Sequence, residues 1–316
     1  MSEDLFYNRD RNISGVVAPE NLSSLNLKPV YGSKVEFSAN NYSYETSDSY
    51  YNIIPMSLNS LKASYKLRYD VNEINARRLT NFFESKLGYQ DISFAPDSNI
   101  YRDISGYVDN YAINHVNSNH YEFAVDITAD QAPNLLNWVN MNFLNFNFKS
   151  YELGVNYKKY DVVYYNINDV KINNFYYCTE DHFSSSSNMP NKTASKWTQD
   201  FFYEPDIGFQ NDVKFDVEKL EFKNSFPIRI KSKKNIALVN ISYKFTDITD
   251  HQLKSMLHFL ENKAGYRRFK HQIPSVYNRP KVYICPEWRH TWNYYNCNDL
   301  EVTFIEDPLG VIPNNL

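Results

Sequence analysis

Glycine, cysteine and surplus charge are all scarce in this chain, and each scarcity excludes something. Its eight glycines among 316 residues stand at 15, 32, 88, 106, 154, 208, 265 and 310, no two closer than 17 positions. A dinucleotide fingerprint, a phosphate loop or a nucleophile elbow needs glycines within a few residues of one another, so none is present. The three cysteines, Cys178, Cys285 and Cys297, are odd in number and form no CxxC pair. Reduced, buried thiols are therefore expected rather than a disulfide framework or a zinc cluster. Lys+Arg 33 against Asp+Glu 37 gives a formal charge of −4, without the basic surplus of a protein that grips phosphates. No stretch approaches the roughly 18 apolar residues that span a bilayer. The start, Met1-Ser2-Glu3-Asp4, shows no basic region ahead of an apolar run, so synthesis and retention in a cytoplasm-like compartment are expected.

Aromatic side chains are abundant instead: Tyr 27, Phe 21 and Trp 4 make 16% of the chain, and hydrophobic residues at 42% suffice for a core. Charged residues are only 22%, because Asn, Ser and Tyr carry much of the polar surface. The length allows two or three ordinary domains, and an internal duplication decides how it is used. Val35-Glu36-Phe37 returns as Val213-Lys214-Phe215, and Ser64-Tyr65-Lys66-Leu67 as Ser242-Tyr243-Lys244-Phe245, both at an offset of 178. After one deletion, the segment Phe82 to Tyr89 matches Phe259 to Tyr266 at an offset of 177, with Gly88 and Gly265 in the same place. One domain is written twice.

Each unit reads as strands around one amphipathic helix. Thr249 with Gln252 three residues on is a capping-box start, and Leu253, Met256, Leu257, Leu260 and Ala264 follow on one helical face. In the first copy Val71, Ile74, Leu79, Phe82, Phe83 and Leu87 make the same stripe. Gly88 and Gly265 stand where a left-handed residue closes a helix. Alternating runs flank each helix, Leu61 to Tyr69 and Ile236 to Phe245 before it, Tyr121 to Ile127 and Leu300 to Ile305 after it, and these predict strands. Phe82 and Phe259 are expected in the core.

The second unit carries a helix ending in Phe259-Leu260-Glu261-x-x-x-Gly265-Tyr266, then Val282-Tyr283-Ile284-Cys285 with Pro286-Glu287-Trp288, then Leu300 to Glu306. This order resembles the minor tail protein M family of tailed bacteriophages. The resemblance covers both units, more loosely the first, which has Ile100 to Val108 where the second has its Cys and Trp. It implies a mainly β, α+β fold: two tail-tube-like β-sandwich domains, each with a flanking helix. It also implies a ring at the distal end of a phage tail, made in the host cytoplasm and carried in the virion.

Between the units the texture changes. Tyr151, Gly154, Tyr157 and Tyr160-Asp161-Val162-Val163-Tyr164-Tyr165 precede Phe175-Tyr176-Tyr177-Cys178, His182, the serines 184 to 187, Pro190 and Trp197. This succession resembles the small three-stranded carbohydrate-binding modules of the chitin-binding type. It departs from them at Tyr160, where glycine is usual, and at Tyr151, where tryptophan is frequent. Aromatic faces stack on sugar rings, so the resemblance makes Tyr157, Tyr164, Tyr177 and Trp197 the candidate carbohydrate-binding residues. The competing reading has Tyr164, Tyr177 and Trp197 packing a core too small to hold together otherwise. The resulting division is an N-terminal arm over 1–30, repeat one over 31–148, the inserted domain over 149–206, and repeat two over 207–316.

Catalytic chemistry finds no support in the spacing. Cys178, Glu180, Asp181 and His182 hold metal-ligand types in one short cluster, but closed sites need four converging ligands, so a capped strand end is expected and no metal. His251 and His258, two turns apart on one helix, are expected in solvent. No nucleophile is paired with a base, and no cofactor or enzyme activity is expected. The Asn-x-Ser/Thr sequences at Asn12, Asn21, Asn41, Asn191 and Asn240 follow from an Asn-rich composition.

The sequence therefore points to a structural virion protein of a tail tip or baseplate, extending the tail tube to the hub around a lumen for DNA. If single units form six-membered rings, a chain of two closes the same pseudo-sixfold ring as a trimer, with a hexamer of chains as the other arrangement. The partners implied are copies of itself, the tail tube or distal tail protein, the hub, and the tape-measure protein or DNA in the lumen. A weakly acidic, Asn- and Ser-rich wall would not grip DNA. The alternative is a carbohydrate-binding adhesin that meets host glycans through the inserted module.

Overall fold

A computed structural model shows an α+β protein built on one ten-stranded sheet. It describes residues 27–45, 51–55, 61–86, 88–117, 119–129, 143–146, 149–165, 175–192, 196–206, 210–215, 217–220, 228–231, 237–273 and 280–307. The N-terminal arm through residue 26, Leu87 and Ile236 lie outside them.

The first copy contributes β1 (Lys34–Ala39), β2 (Leu61–Val71), α1 (Glu73–Lys86), β3 (Ile92–Phe94), β4 (Ile104–Asn117) and β5 (His120–Ala129). The second repeats the succession as β6 (Gln210–Phe215), β7 (Ala237–Ile248), α2 (Asp250–Lys263), β8 (Phe269–His271), β9 (Lys281–Tyr294) and β10 (Cys297–Glu306). The strand order is β6-β7-β10-β9-β1-β2-β5-β4-β3, with β8 on part of the β9 edge. Period-two patterning makes β2: Leu61, Ala63, Tyr65, Leu67, Tyr69 and Val71 are buried, while Lys62, Lys66, Arg68 and Asp70 point the other way. One sheet face is thus greasy and the other polar.

The greasy face is covered by the helices. Leu79, Phe82 and Phe83 of α1 and Leu253, Met256, Leu257 and Leu260 of α2 are buried, as the periodicity predicts. The hydroxyl of Thr249 caps α2 by accepting the Gln252 N–H at 3.3 Å. Of the residues assigned to the two stripes, Val71 instead ends β2 and Ala264 is the left-handed cap after α2. Ile74 lies in α1 but departs from its predicted stripe and is 62% exposed. At 100° per residue it lies roughly 150° around the helix from the mean direction of Ala76, Leu79, Phe82 and Phe83, so it cannot share their face.

The hairpins of the two copies bend at corresponding places. Register breaks fall between Val108 and Asn110 and between His115 and Asn117 in one copy, and between Ile284 and Glu287 and between Trp292 and Tyr294 in the other. Bulges at matching places set β4 against β9 at the offset of 177. The leading strands differ from the sequence match. Lys66 opposes Asp126, and the counterpart of Asp126 is Thr303, which opposes Ser242 rather than Lys244. Strands β6 and β7 therefore stand two residues away from the 178 alignment, which makes the offset 176. The slip is even, so every side chain keeps its face. The register break in β7 near Asp247, whose φ is +53°, absorbs the change before α2.

The two copies contribute strands to one shared sheet. Strand β8 occupies the β9 edge only along Lys281–Tyr283. The remainder of that edge takes β1 antiparallel, with Lys34 opposite Thr291, Val35 opposite His290, Glu36 opposite Arg289, Phe37 opposite Trp288 and Ser38 opposite Glu287. The inserted segment has antiparallel strands at Val162–Tyr164, Phe175–Cys178 and Trp197–Thr198, with Lys149–Ser150 added in parallel.

Candidate functional site

Three of the four predicted sugar-stacking residues are interior. Tyr157 is 7%, Tyr177 1% and Trp197 6% exposed, and Tyr164 is half-buried against the edge of Phe175. Tyr157 and Trp197 pack edge to face at 5.0 Å with Val163 and Cys178, and Tyr151 stacks on Tyr157. A segment this short has few apolar residues with which to exclude water, and it spends its aromatics on that task. Tyr177 turns towards α2, where its hydroxyl meets His258 Nδ1 at 2.9 Å and its ring meets Phe259. The inserted domain is thereby docked on the helix layer. Tyr203 adds a 2.6 Å bond to Ser255, and Tyr160 stacks on Tyr203.

This docking corrects the expectation for the α2 histidines. His251 is exposed and pairs with Asp161, whereas His258 is fully buried between Phe146, Phe175 and Tyr177. Burial pushes the His258 imidazole down to about 3, so it is neutral at pH 7. A Tyr177→Phe variant is expected to lose about 1–3 kcal/mol, since it strips a buried imidazole nitrogen of that hydrogen bond. Urea denaturation read by far-UV circular dichroism checks this, and an unchanged midpoint would show the contact to be idle.

The Cys178 and His182 pair holds a turn rather than converging with further ligands. Cys178 Sγ donates to the Glu180 carbonyl at 3.1 Å and lies 3.5 Å from His182 Nδ1, which itself contacts that carbonyl at 2.9 Å. Burial pushes the Cys178 thiol up to about 12, which keeps it protonated. Among the described residues no three His, Cys, Asp or Glu side chains gather as metal ligands.

The richest polar construction lies at the joint between the two copies. Tyr101 of the first copy reaches His290 Nδ1 at 2.8 Å, and His290 Nε2 lies 3.0 Å from Asn298 Oδ1. Asn298 Nδ2 donates to the Ile248 carbonyl and to Asp250 Oδ1, so the chain of bonds assigns a neutral His290 that accepts from Tyr101 and donates to Asn298. Burial pushes His290 down to about 4, which agrees with that assignment. The Phe143 N–H donates to Glu261 of α2 at 3.0 Å. Phe37 stacks on Trp288 at 5.2 Å. Gly265, at φ +74° directly after the left-handed Ala264 that caps α2, lies so near β1 that a Cβ there would stand 2.2 Å from Ala39 Cβ. None of these partners is visible in sequence spacing, since Tyr101 and His290 are 189 residues apart. Only comparison of the copies hints at them, for Ile113 stands where the second copy has His290.

The opposite, polar face crosses the joint unbroken. It curves into an open groove of about 970 Å³, lined by Glu36, Lys62, Thr128, Ser242, Lys244, Glu287, Arg289 and Glu301 among others. Most cations of this face are answered locally: Lys66 pairs with Glu36, Arg289 with Glu36 and Glu301, Arg68 with Glu122, and Lys244 with Asp299, whereas Lys62 forms no ion pair among the described residues. Burial pushes the Glu36 carboxyl up, but Lys66 and Arg289 outweigh it and hold the group below the usual carboxylate value. Such exposed pairs add little stability. They do leave the face without a row of uncompensated cations for phosphates to follow. Among the described residues no helix is long and apolar enough to cross a membrane.

Compared with known proteins, the chain matches no family model and no curated protein.

Proposed function

We propose that this chain is a structural subunit of a bacteriophage tail tip or baseplate, forming a ring that continues the tail tube towards the hub. The observation that carries the reading is the edge-to-edge union of two copies of one unit into a single sheet, with a groove of mixed, mostly paired charge on the face away from the helices. A channel for DNA needs a wall that does not bind phosphates, and this face fits that need. In this reading each copy is a tail-tube-like unit, three chains supply six units, and the inserted domain stands on the helix side, clear of the lumen. The burial of Tyr157, Tyr177 and Trp197 favours a docking or spacer role for that domain over sugar binding. The work is mechanical, with no catalytic step.

Imaging of the assembled particle tests the proposal. Three copies around the tail axis, with the polar face inward, are expected. Six copies per ring would replace the trimer, and absence of the chain from the tail would end the reading.

A further inference from the structure

The edge of β9 that receives β1 has a counterpart that, among the described residues, receives nothing. On β4, β3 stops at Gly106 just as β8 stops at Tyr283 on β9. Beyond it Asn110–Asn114 pair, among the described residues, with β5 alone, and at the other end of the sheet β6 likewise pairs with β7 alone. Exposure follows the difference. Trp288 and His290 are 3% and 0% exposed under β1, whereas Ile113, in the place of His290, is 38% exposed. Val213, in the place of Phe37 by strand pairing, is 41% exposed against 3% for Phe37. An open edge with apolar residues beside it invites another strand.

We propose that this edge of β4 receives β6 of a second copy of the chain, repeating between molecules the joint that β1 and β9 make within one. The internal pairing fixes the register. Offsets of 176 for β1 to β6 and 177 for β9 to β4 set Gln210 opposite Asn114, Asp212 opposite Ala112 and Lys214 opposite Asn110, antiparallel. Val213 then covers Tyr111 as Phe37 covers Trp288. The contact is head to tail, so it propagates beyond two molecules and closes when the rotation permits. It supplies the joint of the ring proposed above and rests on that reading only for closure around a tail.

The experiment is disulfide trapping in the full chain. Asp212 and Ala112 are both exposed, and within one molecule they sit seven strand steps apart, about 34 Å along a flat sheet. In a Cys297→Ser background, Asp212→Cys with Ala112→Cys is expected to yield oxidised species above dimer, in steps of 37.3 kDa. Either single variant stops at dimer, because one accessible thiol per chain makes one bond. Adding Ile113→Lys is expected to cut the yield at least tenfold while the melting temperature stays unchanged. Absence of species above dimer at about 1 mM protein, equal yield from an Asp212→Cys/Asn117→Cys pair, or indifference to Ile113→Lys would each overturn the joint. A ladder from a chain that imaging places outside the tail would remove the tail assignment and keep the joint. A tail-located chain without a ladder would do the reverse.

Discussion

Gly265→Ala is expected to destabilise the protein by about 3–5 kcal/mol, while Gly88→Ala, the same substitution at the matching position, costs only about 1–2 kcal/mol. Both glycines stand just past a helix end at positive φ, +74° and +72°, so the conformational cost of a Cβ is shared. The surroundings differ. At Gly88 the nearest atom to an added Cβ is the Val108 carbonyl oxygen at 3.4 Å, an ordinary contact that needs at most a slight shift. At Gly265 the Cβ would meet Ala39 Cβ at 2.2 Å, and Asn41, whose Nδ2 donates to the Gly265 carbonyl at 3.1 Å, lies beside it. Ala39 ends β1, which is pinned between β9 and β2, so relief requires prising β1 from the joint. Urea midpoints of the two variants measure the difference directly. Equal losses would mean that the joint yields easily.

Acid is expected to unfold the protein well above the usual carboxylate range. His258 and His290 are buried neutral, with burial pushing them to about 3 and about 4 from an ordinary value of 6.5. His271, whose Nε2 meets the Tyr243 hydroxyl at 2.8 Å, is pushed down by the same cause. Between pH 6.5 and about 4 the unfolded chain binds protons that the folded chain refuses. Stability is therefore full above pH 6.5 and falls as the pH drops through that window. Each fully buried imidazole contributes on the order of 3–5 kcal/mol to the loss, and domains of this kind hold only about 5–15 kcal/mol in total. Denaturant titrations at pH 7.5, 6.0 and 5.0 are expected to show steadily falling midpoints. His290→Gln is expected to flatten the slope whatever it does to the absolute value. A midpoint constant from pH 7.5 to 5.0 would overturn the account, because carboxylates titrate chiefly below that range.

Local patterns in the sequence determined the elements. Alternation from Leu61 to Tyr69 and Leu300 to Ile305 fixes strands because side chains on a pleat alternate, and the Thr249 cap starts α2 because its hydroxyl satisfies a terminal N–H, whereas the left-handed cap that ends α2 falls on Ala264, one residue before the expected Gly265. The duplication is equally legible, because similar residues recur at offsets of 178 and 177. Three features were not. The two-residue difference in β6 and β7 lies in a register break that no residue type announces. His258 reads as solvated on its own helix, and only the docked inserted domain, with Phe175 and Tyr177, encloses it. The candidate sugar residues read as platforms or, preferably for Tyr164, Tyr177 and Trp197, as core, and packing made Tyr157, Tyr177 and Trp197 core.

What the sequence determined by itself, then, is that one α+β unit occurs twice with a small Tyr-rich domain between. Tertiary structure alone decided that the two units share a sheet, that Tyr101 and His290 lock it across 189 residues, and that one copy of the receiving edge is filled while the other, among the described residues, is open. The physical reason is range. Propensity, capping and alternation act over a few residues and leave their mark on neighbours in the chain. Strand edges pair through backbone groups that every residue carries, so the choice of partner is settled by which edges remain uncovered once the chain has folded.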